Sequence, residues 1–132
     1  SGKNFFAKSH ARGGGMMAKL SRKKQDELIQ REVDRLNAVF DELPDREKEV
    51  AKGLIERVAF MTIQLEILED EIKSKGPTYT FQNGKQKMLV ENPAQKSYNT
   101  MMNRYTAAYK ELFNLLKKID NSDGDDDEFE DV

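Results

Sequence analysis

The residues best placed to do chemistry in this sequence are cations. Lys19, Arg22, Lys23 and Lys24 stand together just ahead of an apolar periodic run, Arg31 and Arg35 follow Lys24 at intervals of seven and four, and Lys85 and Lys87 fall on the polar side of a short alternating stretch. Grouped lysine and arginine neutralise phosphates and release counterions, so the chemistry they offer is polyanion binding, which positions a nucleic acid without reading its bases. Glu27 and Asp34 interleave with Lys24, Arg31 and Arg35, so the same three cations also read as an ordinary salt-bridged helix face. Other chemistry is sparse. The carboxylates of Glu69 to Glu71 read as a solvated helix face, no glycine-rich phosphate loop follows a strand, and the single histidine is His10. There is no cysteine, which excludes disulfides, thiolate nucleophiles and a structural zinc site. The expectation is a protein that is not an enzyme and that carries neither metal nor cofactor.

The totals set the frame for these residues. The chain has 132 residues, 35% of them charged and 37% hydrophobic, with no tryptophan and a net charge of -2. That fits one mainly helical domain of narrow, well-solvated elements with a small core. The charge is polarised: every ionised residue from Ser1 to Lys24 is basic, whereas Asp120 to Val132 holds eight acids and no base. A basic arm and an acidic tail read as a polyanion contact and a protein contact, or as two solubilising ends. No stretch approaches the roughly 20 apolar residues of a membrane span, and no signal-peptide core is present, so the expected setting is the cytoplasm.

The elements that position the cations follow from hydrophobic period. Residues 1–15 end in three glycines before Met16 and Met17 and read as an expression remnant ahead of a native start, with 16–24 as a basic arm. Ser21 is the expected N-cap of a first helix whose stripe is Ile29, Val33, Leu36, Phe40 and Leu43, widened by Leu28 and Val39 and ended by Pro44. Asp45 is the expected cap of a second helix with the stripe Val50, Leu54, Val58, Met61, Leu65, Leu68 and Ile72, stopping at Gly76. The short connection at Pro44 folds these two back as an antiparallel pair. A helix-turn-helix would have short helices around a tight turn, so no groove-reading helix is assigned.

Residues 78–90 alternate and form a hairpin. Asn83-Gly84 as a type I′ turn pairs Gln82 with Lys85, Thr80 with Lys87 and Tyr79 with Met88, placing Tyr79, Phe81, Met88 and Val90 on one face and Thr80, Gln82, Lys85 and Lys87 on the other. A lone hairpin is marginal in water, so its apolar face is expected on a helix or on another subunit. Asn92 caps the last helix and Pro93 opens it. There Ala94, Tyr98, Met101, Tyr105, Ala108, Leu112, Leu115 and Ile119 recur at four and three, and a second stripe holds Met102, Tyr109, Phe113 and Leu116. Heptad spacing points to packing rather than a cofactor box. Two stripes ask for two partners: the helical pair of the same chain and a neighbouring protomer, unless one broad stripe is buried within a monomer. Residues 25–119 therefore form the helical domain. Residues 120–132 are expected to be disordered, with Phe129 their one apolar anchor for a partner's pocket.

From Leu54 to Leu116 the order of pieces resembles the small terminase subunits of tailed bacteriophages: a long helix ending "IKSKG", the hairpin "YTFQNGKQ", then "ENPAQKSYNTMMNRY" opening a helix that reaches "LFNLL". The resemblance implies a viral genome-packaging protein in the cytoplasm of an infected bacterial host. It would assemble as an oligomer, a ring, bind viral double-stranded DNA, and pass it to a large subunit holding the ATPase and nuclease. Tyr98, Met101, Tyr105, Leu112 and Leu115, with Tyr79, Phe81 and Met88 of the hairpin, are the expected subunit contacts. Lys19, Arg22, Lys23, Lys24, Arg31, Arg35, Lys85 and Lys87 are the expected DNA contacts, and the acidic tail is where a large-subunit or portal contact would be sought. The chain departs from many small terminases in lacking a helix-turn-helix at its start. The rival reading is a helical protein-interaction adaptor that does not bind DNA.

Overall fold

The computed structural model describes residues 20–123, and their side chains as far as residue 120. The expectations for residues 1–15 and for most of the acidic tail lie outside them. Among the described residues the order is α1 (Arg22–Val39), α2 (Asp45–Lys75), a hairpin of β1 (Thr78–Asn83) and β2 (Gln86–Glu91), and α3 (Pro93–Asp123). The fold is mainly helical with one hairpin, as the periodicities predict. The last helix runs three residues past Asp120, so the acidic segment begins as helix rather than as tail.

Ser21 caps α1, its Oγ accepting the Lys24 N–H at 3.0 Å. The helix does not reach Pro44. It ends at Val39, and Phe40 and Leu43 belong to a turn in which the Leu43 N–H donates to the Phe40 carbonyl at 3.2 Å. A proline disfavours helical backbone at the residue before it, and the turn swings both Phe40 and Leu43 into the core. Asp45 is not the cap of α2. Pro44 stands at that position with no side-chain hydrogen bond, and Asp45 and Glu47 offset the helix dipole from the first turn.

The core sits where α1 and α3 both lean on α2. Leu36, Phe40 and Leu43 pack with Ala51, Ile55, Val58 and Ala59 of α2 and Leu112 of α3. Farther along, Leu28 packs with Ile63 and Ile67, so early α1 meets late α2 and the two run antiparallel. α3 runs back along α2 in turn, since Tyr98 near its start donates to Glu69 and Leu112 near its end meets Ile55. Serving two neighbours gives α2 a broader buried face than the expected stripe. Ala51, Ile55, Ala59 and Ile63 are buried, while Val50, assigned to the core from its spacing, is 71% exposed, and Val39 of α1 is also exposed. Periodicity weights large side chains, whereas two small alanines let flanking helices approach closely. One polar link bridges α1 and α2: Gln64 Nε2 donates to Gln25 Oε1 at 2.9 Å, and Gln25 Nε2 donates to the Leu20 carbonyl.

The hairpin register differs from the expected one. Asn83 pairs with Gln86, Gln82 with Lys87, Phe81 with Met88 and Tyr79 with Val90, so the loop is Gly84-Lys85. Gly84 has φ +64°, and no non-glycine residue among those described has a positive φ. A loop with one positive φ at its first central residue is the II′ geometry, which leaves Asn83 in the strand, whereas the expected I′ turn needs two. Each residue's partner moves by two positions, an even step, so Tyr79, Phe81, Met88 and Val90 still share a face.

Candidate functional site

Asn92 joins the base of the hairpin to the start of α3. It is 2% exposed. Its Nδ2 donates to the Gly76 carbonyl at 2.8 Å, its N–H to the Pro77 carbonyl at 2.7 Å, and its Oδ1 accepts the Ala94 N–H at 3.0 Å. One side chain thus caps α3 and closes the base of the hairpin, while Gly76, at φ +84°, ends α2. Of the two covers expected for the hairpin's apolar face, a helix or another subunit, the described helices of its own chain do not supply the first. From Thr78 to Leu89 every residue is exposed, Tyr79 by 36%, Phe81 by 46%, Met88 by 56% and Leu89 by 71%, and only Val90 is partly buried.

Four of the predicted cations, in two groups, lie toward the end of the molecule from which the hairpin springs. Arg22 and Lys23 are exposed on the first turn of α1, beside which Leu20 packs on Leu28, Ile63 and Ile67. Lys85 lies in the hairpin loop and Lys87 on the strand face opposite Phe81 and Met88. The salt-bridged reading holds for part of the α1 set. Lys24 meets Glu27 at 3.4 Å, and Arg35 grips Glu32 through Nε at 3.0 Å and Nη2 at 2.6 Å, a contact that raises the guanidinium pKa and holds it charged. Arg31 is exposed and pairs with no carboxylate among the described residues. Lys19 and Phe129 lie outside the described residues.

On α3 the two stripes have different fates. Leu112 is 2% exposed inside its own chain's core, with Tyr105, Ala108, Leu115 and Ile119 packed around it. Leu112, one of the expected subunit contacts, is covered here by residues of α1 and α2 of its own chain and of the turn between them. Tyr98 and Met101, at the start of that seam, are partly buried. The surplus lies one step round the helix, where Tyr109 and Phe113 are 47% and 51% exposed. Tyr109 stacks on Tyr105 at 5.7 Å, and the Lys117 ammonium sits 5.4 Å from the Phe113 ring centre.

A feature that periodicity did not indicate lies between α2 and the first turns of α3. A groove of about 530 Å³ is lined by the apolar side chains Phe60, Met61 and Met101 and by the cations Arg57, Lys96 and Arg104. Among the described residues no carboxylate lines it. Its signal in the sequence is Lys96, Thr100 and Arg104 at intervals of four beside Met101, facing Arg57 and Phe60.

The carboxylates of Glu69 to Glu71 are not uniformly solvated. Asp70 is 4% exposed, Glu69 accepts the Tyr98 hydroxyl at 3.0 Å, and Glu71 pairs with Lys75 at 2.8 Å. Burial, and then the like charges of Glu69 and Glu32, push the Glu66 carboxyl above the usual glutamate range. Among the described residues no group of three His, Cys, Asp or Glu could hold a metal ion, and no helix is long and apolar enough to cross a membrane. The chain matches no protein-family model, no curated protein and no solved structure.

Proposed function

We propose that this protein is the small subunit of a bacteriophage terminase: an oligomeric, non-catalytic protein that binds viral double-stranded DNA for genome packaging and recruits the large ATPase and nuclease subunit, in the cytoplasm of the infected bacterium. The observation that carries the reading is the hairpin. It stands off the helical body between a long helix and an Asn-Pro-capped one, the order that resembles small terminases, with aromatic and methionine side chains on one face and Lys87 on the other. A hairpin left uncovered by the described residues asks for a neighbouring subunit, and Tyr109 and Phe113 add a second exposed apolar surface. Arg22, Lys23, Arg31, Lys85 and Lys87 supply the phosphate contacts, and the acidic tail is the natural site for the large subunit or the portal. The test is light scattering of the full chain with and without duplex DNA at low and moderate salt. A mass several times the 15.2 kDa of one chain, and DNA binding that weakens steeply with salt, are expected. A monomer indifferent to DNA at low salt overturns the reading.

The groove beside Phe60 favours a second reading, a helical adaptor that holds an acidic partner protein. It is the one left standing if the chain associates as a dimer and DNA has no effect.

A further inference from the structure

The groove between α2 and α3 is both cationic and apolar, in a chain whose net charge is negative. Arg57, Lys96 and Arg104 are exposed and form no ion pair among the described residues, which leaves them available to an anion. A second groove, of about 470 Å³, flanks Phe60 on the α1 side, but Asp26 and Glu56 line it together with Lys52 and Arg57, and its charges offset one another. The occupant of the first groove must present an apolar side chain ringed by carboxylates. The chain carries such a segment: Asp125, Asp126, Asp127 and Glu128 precede Phe129, and Glu130 and Asp131 follow it.

We propose that residues 125–131 of one copy dock into this groove on a neighbouring copy, with Phe129 against Phe60, Met61 and Met101 and the flanking carboxylates on Arg57, Lys96 and Arg104. Chain length decides between a copy's own groove and a neighbour's. The helix carrying the groove ends at Asp123, which is about 35 Å along its axis from Thr100 at 1.5 Å per residue. Phe129 lies six residues beyond Asp123 and reaches back at most about 20 Å when fully extended. It falls short of Met101 by about 13 Å, or about two helical turns, so the groove it is assigned to is another copy's. Groove and segment are different surfaces, which makes the contact head-to-tail, a geometry that closes into a ring or runs on as a filament. The docking stands apart from DNA binding and adds an assembly contact that neither the hairpin nor the last-helix stripe supplies.

The chain has no cysteine, so introduced thiols are the only ones present. Full-length Thr100→Cys and full-length Glu130→Cys, mixed in a glutathione redox buffer at low salt, are expected to yield a disulfide-linked pair. Its yield should be several-fold above that of Glu130→Cys mixed with Ala38→Cys, an exposed position on α1. Adding Arg57→Glu and Arg104→Glu to the Thr100→Cys chain should abolish the excess. These substitutions fall on exposed residues, and an unchanged helical circular dichroism spectrum separates loss of docking from loss of fold. A yield no higher than the Ala38 control, or one unmoved by the two charge reversals, overturns the proposal. So does a chain bearing both Thr100→Cys and Glu130→Cys that closes on itself as a cross-linked monomer. No DNA enters this experiment, so its result is distinguishable from that of the DNA-binding test.

Discussion

Asn92 Nδ2 donates to the carbonyl of Gly76 across 2.8 Å, joining two residues sixteen apart in the chain and bracketing the hairpin between them. Because the same side chain caps α3 through its Oδ1, the hairpin and the last helix share one buried fastening.

Replacing Asn92 with alanine removes a buried cap and leaves the Gly76 carbonyl without that donor, and should destabilise the fold by about 1–3 kcal/mol in urea denaturation. Asn92→Asp keeps a cap acceptor but loses the donor to Gly76. Hydrogen exchange should then quicken in the hairpin amides more than in α1. Equal exchange in both regions would show that the fastening is not local.

Leu112 and Phe113 are neighbours with opposite surroundings, one 2% exposed and the other 51%. Leu112→Ala should cost about 2–5 kcal/mol, as core truncations do. Phe113→Ala should leave the denaturation of dilute chain within about 0.5 kcal/mol and lower the mass seen at high concentration. A large stability loss from Phe113→Ala at every concentration would place that ring in an intrachain role.

The helices and the Asn-Pro start of α3 were legible because capping and hydrophobic period are local properties, and Ser21 and Asn92 behave as their types dictate. Other things were not. Pro44 rather than Asp45 stands at the cap of α2, and α1 stops at Val39. The hairpin register turned on whether one or two residues near Gly84 take positive φ, which Asn-Gly leaves open. The buried width of α2 depended on its packing against two helices, so Ile55 and Ile63 were missed and Val50 was placed inside. The groove joins Arg57 and Arg104, 47 residues apart in sequence, and only the antiparallel run of α2 and α3 brings them together.

Two glycines should respond in opposite senses to alanine. Gly53 is helical and exposed, and an added Cβ would meet nothing within 4 Å, so Gly53→Ala should stabilise by about 0.5–1 kcal/mol. Gly84 has space as well but sits at φ +64°, so Gly84→Ala should loosen the hairpin by about 1–2 kcal/mol. Thermal melts and the chemical shifts of Gln82 and Lys87 would read these effects. Similar shifts of the same sign at both sites would contradict the turn geometry.

The raised Glu66 carboxyl makes stability depend on pH in a stated direction. Its folded pKa lies above its unfolded one, so the native state binds the proton more readily, and this contribution falls as pH rises from about 4.5 through the raised value. Glu66→Gln should therefore flatten that part of the stability profile and stabilise the protein at neutral pH. A variant whose profile still declines as steeply across this window would assign the effect to another group.

If Lys85 and Lys87 bind phosphates, changing both to alanine should weaken DNA binding without regard to sequence. It should also reduce the slope of log affinity against log salt by about 1.8, which is about 0.9 for each phosphate no longer neutralised. An unchanged slope removes the hairpin from the DNA surface while leaving Arg22, Lys23 and Arg31 to be tested in the same way.

The glutamine pair between α1 and α2 bears on uniqueness rather than strength. Two greasy stripes with the same repeat can slide one turn past each other and still bury much the same surface, but only one alignment lets Gln64 reach Gln25. Leucine at both positions should give a tougher yet less singular protein, whose nuclear magnetic resonance lines broaden as sliding alignments compete.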